Sequence, residues 1–149
     1  MRQAVDDIDI KRISAGRTGA REFVMMLFFQ MEVQNDYGSD IKTTFLKKYP
    51  VEEKHEKYID HMCDLLREHV AAADGLIESC SSNWKIGRIG KVDLAVIRTA
   101  VLEIMHMDDI PDAVSINEAV TIAKKYGTED SGKFVNGVLG KVVKVKNAG

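Results

Sequence analysis

The sequence predicts an all-α fold: a compact bundle of about six to seven helices in two helical subdomains around a buried central helix. Three observations carry this expectation. Apolar residues recur at steps of three and four over long stretches. The segment from Val92 to Met105 is apolar almost all the way round, which marks a helix enclosed by others. Runs that alternate with the period of two of a half-buried strand are absent.

Taken in order, residues 1–16 carry Asp6, Asp7 and Asp9, then Lys11 and Arg12, with little apolar periodicity, and read as a flexible N-terminal arm. Ala20, Val24, Leu27, Phe28 and Met31 then recur at helical spacing until Asn35-Asp36-Tyr37-Gly38, which predicts a helix over 17–34. A brief helix from Ile41 to Tyr49 is closed by Pro50, because proline disfavours helical geometry in the residue before it. Ile59, Met62, Leu66, Val70, Ala73 and Ile77 form one continuous stripe, giving the longest helix over about 51–79. The pattern breaks at Asn83-Trp84-Lys85-Ile86-Gly87, ahead of the central helix. After Pro111, Ser115-Ile116-Asn117-Glu118 reads as a capping box at a helix start, with Lys124 and Lys125 in the last turn and Gly127 just past it. A last helix runs from Ser131 to Val145. Its Gly132, Gly137 and Gly140 each cost on the order of 1 kcal/mol against alanine, so close helix contact or close ligand approach is expected there. The domain covers 17–149, with an N-terminal subdomain over about 17–83 and a C-terminal one over about 84–145.

A chain of 149 residues with 45% hydrophobic and 30% charged residues has room for one folded domain. The net charge of −2 gives no basic excess, so any nucleic-acid affinity must come from a local patch or be shared with a basic partner. Cys63 and Cys80 read as free, reduced core thiols, since no further Cys or His stands at zinc-ligand spacing. The first residues lack an apolar signal core and no segment approaches the roughly 20 apolar residues of a membrane span, which predicts a cytoplasmic protein.

A catalytic constellation is not expected: there is no Gly-rich phosphate loop, no nucleophile elbow and no paired metal-ligating histidines. No cofactor or metal is expected either. Asp93, Glu103 and Glu118 are read as partners for Arg98 or as helix caps. Arg17 and Arg21 lie four apart, hence on one helix face, near a helix N-terminus, an arrangement that suits phosphates or simply a solvated basic end. Phe29, two turns further on, offers a stacking surface for a base or a core residue. The same two readings apply to Lys133 and Phe134, which cluster with Asp130 at the start of the last helix. Met25, Met26, Met31 and Met62 read as deformable core filling. An apolar face on the first helix could pack inside the domain or against a second copy, as a homodimer.

The C-terminal part contains Trp84-Lys-Ile-Gly-Arg88-Ile-Gly-Lys-Val92-Asp93-Leu-Ala-Val-Ile97-Arg98, then Val114-Ser-Ile116-Asn117-Glu118-Ala119-Val120, and Lys133-Phe134-Val135-Asn136-Gly137-Val138-Leu139. In order and spacing this resembles the NusB family, and Arg17-x-x-x-Arg21-Glu22 with the apolar helix behind it is similar to that family's opening segment. Thr18 and Gly19 stand inside a thinned arginine cluster, and Phe28-Phe29 replaces the common Leu-Tyr. The resemblance implies a helical, non-enzymatic transcription antitermination factor that binds boxA-type single-stranded RNA of ribosomal RNA operons together with a small-subunit ribosomal protein, NusE. That pair joins the RNA polymerase antitermination complex with other Nus factors. It further implies that Arg17, Thr18, Arg21, Phe29, Lys133 and Phe134 lie near RNA, and Asp93 and Asp130 near the RNA or the protein partner. Two alternatives remain: the NusB-like RNA-binding module of an RNA cytosine methyltransferase, for which the chain shows no cofactor-binding segment, and a protein-interaction scaffold without RNA contact.

Overall fold

The computed structural model describes residues 13–82 and 84–149; the turn residues between the apolar stretches divide these described residues into six α-helices and one 3-10 turn, and no strand occurs among them. Helix α1 spans Gly16–Gln34 and stops at Asn35, whose φ of 52° is left-handed and whose N–H turns back to the Glu32 carbonyl. Helix α2, Ser39–Lys48, ends ahead of Pro50, and the 28-residue α3 covers Glu53–Cys80. A 3-10 turn at Ile86–Arg88 leads into α4, Lys91–His106, followed by α5, Asp112–Tyr126, and α6, Ser131–Ala148.

Helix α4 is the centre of the molecule and packs against α1, α3, α5 and α6. Leu94, Ile97, Val101 and Ile104, at steps of three and four, are each at most 1% exposed. Their burial is what an apolar helix without a polar face requires. Helix α1 is enclosed almost as fully: every residue from Gly19 to Met31 is buried, and α2, α3 and α4 cover it, so its apolar face packs within the chain. The four methionines singled out in the sequence are all core residues.

Three expectations need correction. Helix α5 begins at Asp112, directly behind Pro111, and not at a capping box. Ser115 lies inside its first turn, buried, and donates its hydroxyl to Glu103 Oε1 at 2.8 Å. The three α6 glycines also differ from one another. A Cβ at Gly132 would meet the Lys124 side chain at 2.9 Å, whereas at Gly137 and Gly140 nothing lies within 4 Å, so helix contact accounts for one of the three. Finally, Arg98 is not the partner of Asp93, Glu103 or Glu118. It is 2% exposed and grips Asp74 with two hydrogen bonds, of 2.9 and 2.7 Å, and Glu32 with a third of 2.8 Å. Burial works against the Glu32 charge, but the Arg98 hydrogen bond and charge outweigh it and hold that carboxyl below its ordinary value.

The arm expected over 1–16 falls mostly on residues 1–12, which lie outside the described residues. Ser14, within it, is fixed by hydrogen bonds to Glu22.

Candidate nucleic-acid interface

Arg17 occupies the first turn of α1 and is exposed, with its guanidinium carbon 4.2 Å from the centre of the Tyr58 ring on α3. A cation over an aromatic face is held in place without losing its donors, which remain available to a phosphate. Tyr58 itself is anchored below, its hydroxyl donating to the buried Glu103. Burial first, and then the Glu103 charge, push the Tyr58 hydroxyl well above its ordinary value, so it stays protonated as a donor.

The other α1 candidates turn inward. Arg21, four residues on and on the same face as Arg17, has already entered the core at 6% exposure. Its Nε donates to Glu103 at 2.8 Å and its Nη1 to Glu118 at 3.0 Å. Burial alone would lower its pKa; the Glu103 hydrogen bond and charge reverse this and raise it. Thr18, half-buried, donates its hydroxyl to Glu118. Phe29 is a core residue at 5% exposure. Equal spacing along a helix therefore did not give equal access, because α1 dives between its neighbours within one turn of Arg17.

The second cluster is on the surface. Lys133 is exposed and Phe134 half-buried in the first turn of α6, and together with Asp130, Gly137, Val138 and Lys141 they line one side of a groove of about 420 Å³. The other side comes from the end of α3 and the residues after it, chiefly Trp84, which is 54% exposed. The Trp84 and Phe134 rings stand 6.0 Å apart at 44°, a wedge of two aromatic faces with Lys133 and Lys141 at its rim. The absence of a side chain at Gly137 keeps that side open. Such a combination of aromatic faces and ammonium groups can hold an unstacked base and its phosphate. Trp84 had not been assigned to the site. The signal was present: a lone tryptophan in the break before the central helix, next to Lys85, outside any apolar stripe. Asp130, the residue directly before α6, belongs to this groove, whereas Asp93 sits half-buried in the first turn of α4 and does not line it.

Arg17 and Phe134 are not direct neighbours. Arg17 lies over Tyr58 near the start of α3, while Phe134 shares its groove with Cys80 at the end of that helix, and Tyr58 and Cys80 are themselves about 33 Å apart along α3 at 1.5 Å per residue. Among the described residues no group of three or more His, Cys, Asp or Glu side chains is arranged to hold a metal ion, and no helix is long and apolar enough to cross a membrane.

Comparison with known proteins bears on this arrangement. The family model described as NusB matches residues 18–144. A transcription antitermination protein NusB from Acetivibrio thermocellus is 46% identical over 131 residues, 88% of this chain and 90% of that protein. Its counterpart from Agathobacter rectalis is 51% identical over 112 residues, 75% and 78% of the two chains. Among solved structures, T. maritima NusB superimposes with a TM-score of 0.79 at 34% identity, covering 88% of this chain and 92% of that one. A crystal structure of antitermination factors NusB and NusE in complex with dsRNA shares the fold, with a TM-score of 0.79 at 24% identity and coverage of 87% and 96%. The six-helix architecture, the motifs from Trp84 to Leu139 and these matches together lead to one statement: the chain belongs to the NusB family.

Proposed function

We propose that this chain is an RNA-binding transcription antitermination factor, a non-enzymatic adaptor that binds boxA-type single-stranded RNA together with the ribosomal protein NusE and joins the RNA polymerase antitermination complex in the cytoplasm. The observation that carries this reading is the groove at the start of α6, where Trp84 and Phe134 offer stacking faces and Lys133 and Lys141 offer charge. Arg17, held over Tyr58, supplies a further phosphate contact. Arg21, Thr18 and Phe29 support that end of the surface from within, through Glu103, Glu118 and the core.

With a net charge of −2 the chain lacks the broad basic field of an autonomous RNA binder, which agrees with sharing the task with a basic partner. Asp130 at the rim of the groove and Asp93 on α4 are the acidic groups assigned to that partner or the RNA beside it. Relatives that carry the name transcription antitermination protein, and a complex of the same fold that holds NusB, NusE and dsRNA, support the reading.

The test is a titration of labelled boxA RNA by the chain alone, by NusE alone and by both, with a duplex of the same sequence as control. The pair should bind the single strand more tightly than either protein does, with an affinity that falls steeply as salt rises. Equal affinity for the pair and for NusE alone would show a scaffold that does not touch RNA.

A further inference from the structure

Glu22 is 1% exposed, and among the described residues its carboxylate bonds neither Arg17 nor Arg21. Among those residues it collects four donors from two distant parts of the chain. The Ser14 backbone N–H and hydroxyl reach it at 3.0 Å each, from the residues that lead into α1. Lys125 reaches it at 2.9 Å and the Tyr126 hydroxyl at 3.0 Å, from the last turn of α5. Lys125 also approaches the Ser14 hydroxyl at 3.4 Å, which closes the cluster.

A second feature holds the same geometry independently. Residues 13 and 14 fold back over the first turn of α1 so closely that a Cβ at Gly19 would overlap the Ser14 carbonyl oxygen and press on Ile13. The overlapping atom is backbone, so no side-chain rotation could relieve it. Only glycine at position 19 permits this path.

The consequence concerns the two separated parts of the proposed interface. Arg17 lies in the first turn of α1, three residues after Ser14. The end of α5 is joined to α6 by only Gly127–Asp130, and Lys133 and Phe134 follow at once. We infer that Glu22 is a positioning residue for RNA binding: its buried carboxylate clamps the entry of α1 to the end of α5 and so fixes Arg17 relative to the groove at the start of α6. This inference rests on the RNA-binding reading above. A single strand that spans both contacts needs them at a constant separation, because one held loosely is ordered only at the expense of binding.

Glu22→Gln keeps the shape but removes the charge that three side chains and one backbone group address, and Gly19→Ala displaces Ser14 while leaving Glu22 intact. Two measurements on each variant separate the possibilities: amide hydrogen exchange at Ser14, and boxA RNA titration with NusE at several salt concentrations. Both variants should exchange the Ser14 amide faster and bind RNA about fivefold or more weakly, the lower end of a typical coupling between sites. The log–log salt slope should drop by about 0.7, as one phosphate contact is lost from a single strand. A variant that merely unfolds in part would reduce the competent fraction and leave the slope of the remainder unchanged. Faster Ser14 exchange with unaltered affinity and slope in either folded variant would overturn the positioning role. Failure of the unmodified chain to bind RNA with NusE would instead overturn the reading beneath it, and the exchange data would still report whether the clamp exists.

Discussion

Replacement of Arg21 by alanine tests how the structure divides the two arginines of α1. Arg21 sits at 6% exposure with its guanidinium on Glu103, which is itself 1% exposed. Truncation leaves that carboxylate buried without its cation, a class of change that costs about 3–5 kcal/mol. Tyr58 and Ser115 still donate to Glu103, which puts the expectation at the lower end, about 3 kcal/mol. With a urea dependence of about 2 kcal/mol per molar, the unfolding midpoint followed by circular dichroism should fall by about 1.5 M. Removing Glu103 as well should cost less than the sum of the single losses, since neither charge is then stranded. Arg17→Ala should behave in the opposite way: its side chain is exposed, so stability should change by less than about 1 kcal/mol, the size of an exposed cation–π contact, while the salt slope of RNA binding drops. If Arg21→Ala lost under about 1 kcal/mol and instead flattened the salt slope, Arg21 would be an RNA contact and the placement argued from its ion pairs would be wrong.

Further outcomes follow from other parts of the fold. Ile97→Ala, at a position with 0% exposure on the central helix, should cost about 2–5 kcal/mol, and a loss near zero in a denaturation series would show that α4 is not the core. Phe134→Ala should weaken RNA binding by about 1–3 kcal/mol with the salt slope intact, because stacking releases no counterions; an unchanged dissociation constant would remove the groove from the interface. Burial pushes the Cys63 thiol from its ordinary 9.0 to about 11. The folded chain therefore keeps a proton that the unfolded chain releases, so the stabilisation is complete below pH 9 and is lost as pH rises toward 11. Urea midpoints between pH 8 and 11 should show this decline. A native Cys63 that reacts readily with a thiol reagent at pH 8 would contradict it.

The helices were legible because apolar spacing is a local signal. The stripe from Ile59 to Ile77 and the all-round apolarity of 92–105 survive translation into three dimensions almost residue for residue. The start of α5 is hidden in the sequence because Ser115 and Glu118 have the side chains of a capping box, while the helix already begins at Asp112, behind Pro111, which frees both for partners on other elements. The site was less legible, for a related reason. Whether Arg17 and Arg21 are equivalent depends on how deep α1 runs between α3, α4 and α5, and spacing carries no information about depth. Lys133 and Phe134 were visible as a cluster, but Trp84 joins them only through the packing of α6 against the end of α3, a contact between residues 50 apart in sequence. Glu22 was likewise indistinguishable from an ordinary charged residue until its donors from positions 14, 125 and 126 came together.

The two buried ion clusters on α4 have opposite polarity. Arg98 faces the acidic pair of Glu32 and Asp74, while Glu103, five residues later on the same helix, faces Arg21. A helix of near-uniform apolar surface could otherwise be inserted in either direction, or slide by a turn, at little cost in buried area. Reversed, this one would bring Arg98 toward Arg21 and Glu103 toward Glu32 and Asp74, like charge against like in a dry interior. A slide of one turn would strand both. The charges thus act as a key with two teeth of unlike sign: the apolar residues of α4 decide that it is buried, and Arg98 and Glu103 decide which way round and at what height.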